Sequence, residues 1–417
     1  MSLVPVHGGL DAPVNRFIPL TRRKASTAEA AALPSIVLAE AELATLFRIA
    51  DGTLSPLTGF MDADTYNRVL DEKNIVSYGK KYAWTIPISL PVTPAEAAAI
   101  AVGKRAALRD GANNLVGFIE VTSVFDWDKP RFIEKVYLTT RTDHPGAAIV
   151  TNDARTTLVG GMVTAFRPKP HPEYGHFVLS PLQSRALIAT RGWEKALAFQ
   201  TRNPLHRAHE YALVYGVEEL TKQGFFAGCV LMPLVGQLKN DDVDAATRMK
   251  TYRALKDNNV IGEGDTRPEI WETAGYPITD VFDLVGLDMR MYYGGPSEAV
   301  MHAIYRQNHG FTNIVIGRKH ADAPYFDGTA IWGDFDAQEV FGNLAGELHI
   351  QPVKVGFAAY YESCNRVDLT ELHPDEKPVS ISGTKIREIL VAGEQPDMRI
   401  MRPQTAEILS ASYRSKG

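Results

Sequence analysis

The residues Gln200-Thr201-Arg202-Asn203-Pro204-Leu205-His206-Arg207-Ala208-His209-Glu210 put an amide, guanidinium groups and two imidazoles into one short stretch. They follow the apolar run Ala196–Phe199 and open an amphipathic stretch from about His206 to Lys222. At a strand-to-helix junction, unpaired backbone N–H groups and the helix dipole favour an anion. His206 and His209 are three residues apart and so share one helical face. This predicts a site for a phosphate-like group. Zinc is the weaker reading, because the order is H-x-x-H-E rather than H-E-x-x-H and no third ligand is evident. No metal ligands are assigned.

A second group, Gly317-Arg318-Lys319-His320-Ala321-Asp322, again follows an apolar run, Asn313–Ile316. Gly317 permits close backbone approach, and three basic side chains could meet a polyphosphate. A third, Ser382-Gly383-Thr384-Lys385-Ile386-Arg387, reads equally as a phosphate-binding helix start through Ser382 and Thr384 or as a plain helix cap. Between them, Lys239 and Asp241 could orient substrate or Mg²⁺, and Arg290 precedes a glycine-lined turn into a helix. Loop and cap chemistry would explain these equally.

Several classes are excluded. The chain contains neither G-x-x-x-x-G-K-[ST] nor G-x-G-x-x-G, so a P-loop kinase and a classical dinucleotide fold are not indicated. Lys plus Arg at 44 against Asp plus Glu at 49 gives −5 over 417 residues, which argues against a nucleic-acid partner. Two cysteines cannot build a disulfide framework or a thiolate zinc site. No apolar run is long enough to span a bilayer and no signal peptide is evident. A cytoplasmic protein without a membrane partner is expected.

The elements that must position these groups divide at Arg167-Pro168-Lys169-Pro170-His171-Pro172, where alternate prolines fix φ and remove donors. Upstream, Tyr82–Leu90 and Leu115–Val121 read as strands, Asp110-Gly111 with Asn113-Asn114 as turn chemistry, and 37–49 and 62–72 as helices. Downstream, apolar runs at 196–199, 225–232 and 313–316 alternate with helical stretches at 206–222, 243–257 and 298–307. Such alternation predicts an α/β fold with a parallel sheet whose ligands sit at the carboxyl ends of the strands. The expected boundaries are 1–170 for a β-rich domain, 171–327 for the α/β domain and 328–417 for a small C-terminal α/β subdomain.

Taken in order, the motifs resemble one family. Gln200–His209 is similar to the Q-x-R-N-P-x-H-x-x-H signature of the ATP sulfurylases, and Gly317–Ala321 to their G-R-D-H-A motif. Ile381–Arg387 is similar to I-S-G-T-x-x-R, and Gly52–Met61 to G-x-x-S-P-L-x-G-F-M. The resemblance implies a PUA-like N-terminal domain and a Rossmann-like nucleotidyltransferase (HUP-type) domain. It implies the reaction ATP + sulfate = adenosine 5′-phosphosulfate (APS) + pyrophosphate, with Mg²⁺ and a homo-oligomeric enzyme. By motif position, Gln200 and Arg202 would contact sulfate and ATP, with Thr201 and Asn203 beside them in the catalytic site. His206 and His209 would stabilise the α-phosphate and the leaving pyrophosphate. Gly317, Arg318, Lys319 and His320 would bind nucleotide, and the Ala321 N–H would bind sulfate.

Lys319 stands where the family commonly has an acid, Asp322 where it has glycine, and Met232 where histidine is expected. The G-R-K-H-A-D-A form resembles the branch found in sulfur-respiring or sulfur-oxidising prokaryotes, which implies turnover toward ATP. The competing readings are an adenylyltransferase for another acceptor, and an RNA-binding protein with an inactive nucleotide domain.

Overall fold

The computed structural model describes residues 4–236, 243–381 and 383–414. In the N-terminal region the strands are β1 (Ser35–Val37), β2 (Gly59–Phe60), β3 (Asn74–Ser77), β4 (Lys80–Ala83), β5 (Leu90–Val92), β6 (Arg105–Arg109), β7 (Leu115–Asp126) and β8 (Thr157–Ala165). Six of these form a sheet in the order β1-β6-β7-β8-β2, with β5 also paired to β8. The turn joining β6 to β7 forms as its composition predicts. One Asp110 carboxylate oxygen accepts the N–H groups of Ala112 and Asn114, and Asn113 adopts the left-handed region at φ 65°.

The expected strand over Tyr82–Leu90 is broken. β4 ends at Ala83 and Trp84, Ile86 and Ile88 continue as buried irregular chain. Pro87 has no N–H to offer a ladder, and burial of alternate apolar side chains does not itself require strand pairing. Helices Glu40–Asp51 and Ala63–Glu72 lie where expected, the second capped by the Asp62 carboxylate accepting the Thr65 N–H.

The second sheet contains β9 (Lys195–Phe199), β10 (Ala227–Leu231), β11 (Phe282–Leu284), β12 (Asn313–Ile316) and β13 (Gln351–Lys354). Its order is β11-β10-β9-β12-β13 and every pairing is parallel. β10 and β12 are buried at every position, as strands covered on both faces must be. Gly228 in β10 lies against the Trp193 indole, which a β-carbon would overlap. Helices Arg207–Thr221, Ala245–Asp257 and Gly295–Asn308 lie between successive strands in the chain. Two strands had no clear sequence signal. β11 is only three residues long, and β13 includes Pro352 and comes from beyond residue 327.

Strand order runs outward from β9 in one direction and from β12 in the other. The sheet therefore reverses between β9 and β12, where open parallel sheets place their ligands. The first two sequence motifs follow these two strands directly.

Beyond β13, a hairpin of β14 (Ala358–Tyr361) and β15 (Arg366–Leu369) leads to helices Gly383–Val391 and Pro403–Arg414. These helices share a small core of Leu390, Met401, Ala406 and Leu409. Arg402 anchors this end of the chain. Its guanidinium meets Glu210 of helix Arg207–Thr221 at 2.7 Å, with both side chains at most 8% exposed. Among the described residues, no helix is long and apolar enough to cross a membrane.

Candidate active site

β9 ends at Phe199, and the next turn is shaped by Thr201, which is buried. Its hydroxyl donates to the Asn203 carbonyl at 3.0 Å and accepts the Asn203 N–H at 3.2 Å. Thr201 thus sets the path of the loop. Tyr252 holds the same carbonyl through its hydroxyl at 2.8 Å. Arg202 extends over the Tyr293 ring, 5.3 Å from its centroid, and its Nη1 is buried without a hydrogen-bond partner. The Gln200 Oε1 is likewise buried and unpartnered. Orphaned buried polar atoms cost stability, and two of them at one strand end mark a place kept for a ligand.

His206 is the N-cap of helix Arg207–Thr221, its Nδ1 accepting the His209 N–H at 3.2 Å. That bond leaves the His206 proton on Nε2. The two rings lie 5.6 Å apart, and Phe199 meets the His209 ring edge-on at 5.1 Å. The protein packed around the rings lowers both pKa values. His209 falls to about 3 through burial and then through its neighbour His206, while His206 is lowered although it stays open to solvent on one side. Both shifts favour the neutral imidazoles at pH 7. A bound anion would favour their charged forms.

The second motif is arranged differently from its sequence reading. Lys319 and Ala321 take left-handed φ values of 49° and 56°. This tight turn sends the Arg318 and Lys319 side chains outward, where both lie within 3.6 Å of Asp334. Arg318 also covers the Phe357 ring at 4.3 Å. His320 turns inward, and its Nε2 lies 3.0 Å from His302 Nδ1. The three side chains therefore do not form one cationic cluster. Gly317 and Ala321 are half-buried beside them, and the Ala321 carbonyl accepts the Gly295 N–H at 3.1 Å.

The remaining candidates divide. Arg290 is largely buried above the Tyr292 ring at 4.5 Å and 3.6 Å from Glu42, with its Nε unpartnered. Thr384 is exposed in the first turn of helix Gly383–Val391. Lys239, Asp241 and Ser382 lie outside the described residues.

Sequence reading missed Glu298 and His302. Both are fully buried on helix Gly295–Asn308, with Arg306 one further turn along. Ionisable residues at steps of four on a helix of Ala, Val, Met and Ile were the available signal. Glu298 accepts the N–H groups of Tyr292 at 2.9 Å and Gly294 at 3.0 Å, which holds the loop carrying Tyr293 beneath Arg202. Gly295, at φ 49°, lies against the Trp332 ring, so no side chain fits there.

A cavity of about 1660 Å³ lies between the proline linker, helix Glu40–Asp51 and the loop through Arg290 and Tyr293. The motif histidines are not in its wall. Unpartnered buried polar atoms are a better guide to chemistry than volume, so the site is placed at the β9–β12 reversal. Cys364, Asp368 and His373 bring one potential ligand atom each within 4.8 Å of the others. The Asp368 carboxylate there is already engaged by Tyr211 at 3.0 Å and Arg366 at 2.8 Å.

Comparison with known proteins agrees with the family that the motifs resemble. The ATP-sulfurylase family model matches residues 175–412 and a PUA-like domain model matches residues 4–168. Among curated proteins, the chain is 52% identical to a sulfate adenylyltransferase of Pyropia yezoensis, covering 100% of this chain and 98% of that one. It is 35% identical to a sulfate adenylyltransferase of Desulforamulus reducens, covering 100% and 99%. A solved structure described as a hexameric APS kinase from Thiobacillus denitrificans superposes with a TM-score of 0.71 at 22% identity, covering 98% of this chain and 68% of that one. That likeness concerns the fold.

Proposed function

The chain belongs to the ATP sulfurylase family and is a sulfate adenylyltransferase, joining ATP and sulfate to give APS and pyrophosphate; from that premise we propose how its residues divide the work. The observation that carries the proposal is the pair of buried, unpartnered atoms, Arg202 Nη1 and Gln200 Oε1, at the strand end where the sheet reverses.

Arg202 and Gln200 hold sulfate against the α-phosphate, and the Ala321 N–H completes the sulfate contacts. A sulfate oxygen attacks the α-phosphorus in line, the bond from phosphorus to the bridging oxygen of pyrophosphate breaks, and no covalent enzyme intermediate forms. Two anions must be brought together while negative charge grows on the leaving group. Positioning and preorganised donors meet that need.

His206, through Nε2–H, and His209 face the α-phosphate and the departing pyrophosphate. They act as neutral hydrogen-bond donors to the oxygens on which that charge develops, His206 keeping its Nδ1 on the His209 N–H. Thr201 and Asn203 hold the loop between them. Gly317 and His320 bind nucleotide, while Arg318 and Lys319 act as an outer pair tethered to Asp334. Mg²⁺ enters with ATP or pyrophosphate as part of the substrate. The first motif offers cationic, amide and imidazole donors, which suit phosphate and sulfate oxygens, so the metal's ligands would be phosphate oxygens and water.

Sulfate-dependent pyrophosphate release in Arg202→Ala tests this assignment. Removing one such donor lowers kcat/KM by about 10²–10³-fold. Wild-type turnover in a folded variant would overturn it. We extend the proposal to a homo-oligomeric enzyme, measurable by light scattering, and to net ATP formation from APS, read by comparing the two directions.

A further inference from the structure

A chain of polar side chains, buried at Glu298 and His302 and partly buried at its ends, joins the two motif loops. His302 Nδ1 lies 3.0 Å from His320 Nε2, while His302 Nε2 lies 3.3 Å from Glu298 Oε1 and 3.4 Å from Gln200 Nε2. Proton positions follow from the partners. A lone pair on His302 Nε2 would face the Glu298 carboxylate, so that nitrogen carries the proton. Neutral His302 then has an acceptor at Nδ1, and the proton between the two rings belongs to His320 Nε2. The same reasoning turns the Gln200 amide so that its oxygen faces His302 Nε2–H. Its NH₂ then takes the buried position that has no protein partner, where an anion needs a donor.

We propose that Glu298 and His302 are positioning residues that hold His320 with its proton on Nε2 and its lone pair on Nδ1, so that His320 accepts a hydrogen bond from a ribose hydroxyl or the adenine amine instead of donating to phosphate. This rests on the reading of His320 as a nucleotide contact and changes what that contact is. The surroundings favour neutral rings. Burial lowers the pKa of each; at His302 the Glu298 carboxylate pulls the other way without reversing that shift, and the Arg306 guanidinium, buried one turn beyond on the same helix, lowers both further. The groups around the pair are Glu298 and Arg306 on that helix, Gln200 from the end of β9, and the Tyr305 ring, 6.0 Å from His302.

Two measurements test it. Nitrogen NMR of histidine-labelled protein at neutral pH should find His320 Nδ1 unprotonated. A proton on Nδ1 overturns the proposal, whatever the variants do. The second compares ATP with its 2′-deoxy, 3′-deoxy and 6-deamino analogues. A neutral hydrogen bond contributes about 0.5–1.5 kcal/mol, so one analogue should raise KM by about 2–12-fold in wild type. The analogue that does so distinguishes a hydroxyl from the amine.

That discrimination should vanish in His320→Ala and His302→Phe. It should persist in His302→Gln, whose carbonyl can still accept from His320 and whose NH₂ can still donate to Glu298. It should also weaken in Glu298→Gln, whose amide can donate to His302 Nε2 and reverse both tautomers. Unchanged discrimination in folded His302→Phe overturns the proposal, and if that variant does not fold, the NMR result on wild type decides. Should Arg202→Ala lose turnover while Nδ1 proves protonated, this inference alone fails. Sulfate-independent wild-type turnover would instead defeat the functional reading beneath it.

Discussion

The two loops flanking the β9–β12 reversal are both basic, yet the structure uses them in opposite ways. After β9, the loop runs into a long helix, Thr201 shapes the turn, and Arg202 and Gln200 keep unpartnered polar atoms. After β12, a left-handed turn gives Arg318 and Lys319 to Asp334 and turns His320 inward to His302. Positive charge in a motif therefore does not by itself locate the anion. Cations already paired within the protein have less to offer than donors that are buried and unpaired.

The helix that follows the first loop is tied to the C-terminal end of the chain through Glu210 and Arg402, so the sharpest way to separate the two regions is to remove that tie. Arg402→Met leaves Glu210 buried without its main cation, and breaking one side of a buried pair costs about 3–5 kcal/mol. The variant should unfold well below wild type in a denaturant titration. A melt within about 1 kcal/mol of wild type would show that the anchor is unimportant.

At His206, chemistry and stability can be read apart. His206→Ala should lose about 10²–10³-fold in turnover, and its lost helix cap should cost about 1 kcal/mol. His206→Asn should recover the cap and leave turnover low. Recovered turnover in the Asn variant would mean that His206 acts only as a cap.

The depressed pKa of His209 gives a directional test. Between the ordinary histidine value of about 6.5 and the folded value of about 3, the unfolded chain binds more protons. The stability held by neutral His209 is thus fully present above about pH 6.5 and is lost as pH falls toward about 3. His209→Gln should show a shallower loss of stability over that window, measured by chemical denaturation. An identical pH dependence would contradict the burial of the ring.

The smallest effect is expected in the second loop. Its ion pairs are about 40% exposed and such pairs contribute about 0–1 kcal/mol. Combined Arg318→Ala and Lys319→Ala should raise the KM for ATP less than about tenfold, well short of the Arg202→Ala loss. An equal loss would erase the contrast between the loops.

The local site was legible where one segment carried the whole signal. Apolar run, polar turn and amphipathic stretch placed Gln200, Arg202, His206 and His209 at a strand-to-helix junction without reference to any other part of the chain. Tyr82–Leu90 misled because buried irregular backbone and a strand can share the same apolar alternation, and Pro87 weighs against the ladder only in part. β11 was invisible because three residues carry too little periodicity, and β13 because Pro352 and its exposed ends break up any apolar run.

Residue types and order by themselves determined the parallel α/β core, the anion-binding junction after β9 and the absence of a P-loop, since each depends on neighbours within a few turns of chain. Which cations are free, and which histidine faces inward, was decided by the tertiary structure alone. Asp334 reaches Arg318 and Lys319, and His302 reaches His320 and Gln200, only once the chain has folded. A hydrogen bond or ion pair formed across the fold leaves no periodic trace in the segment that receives it.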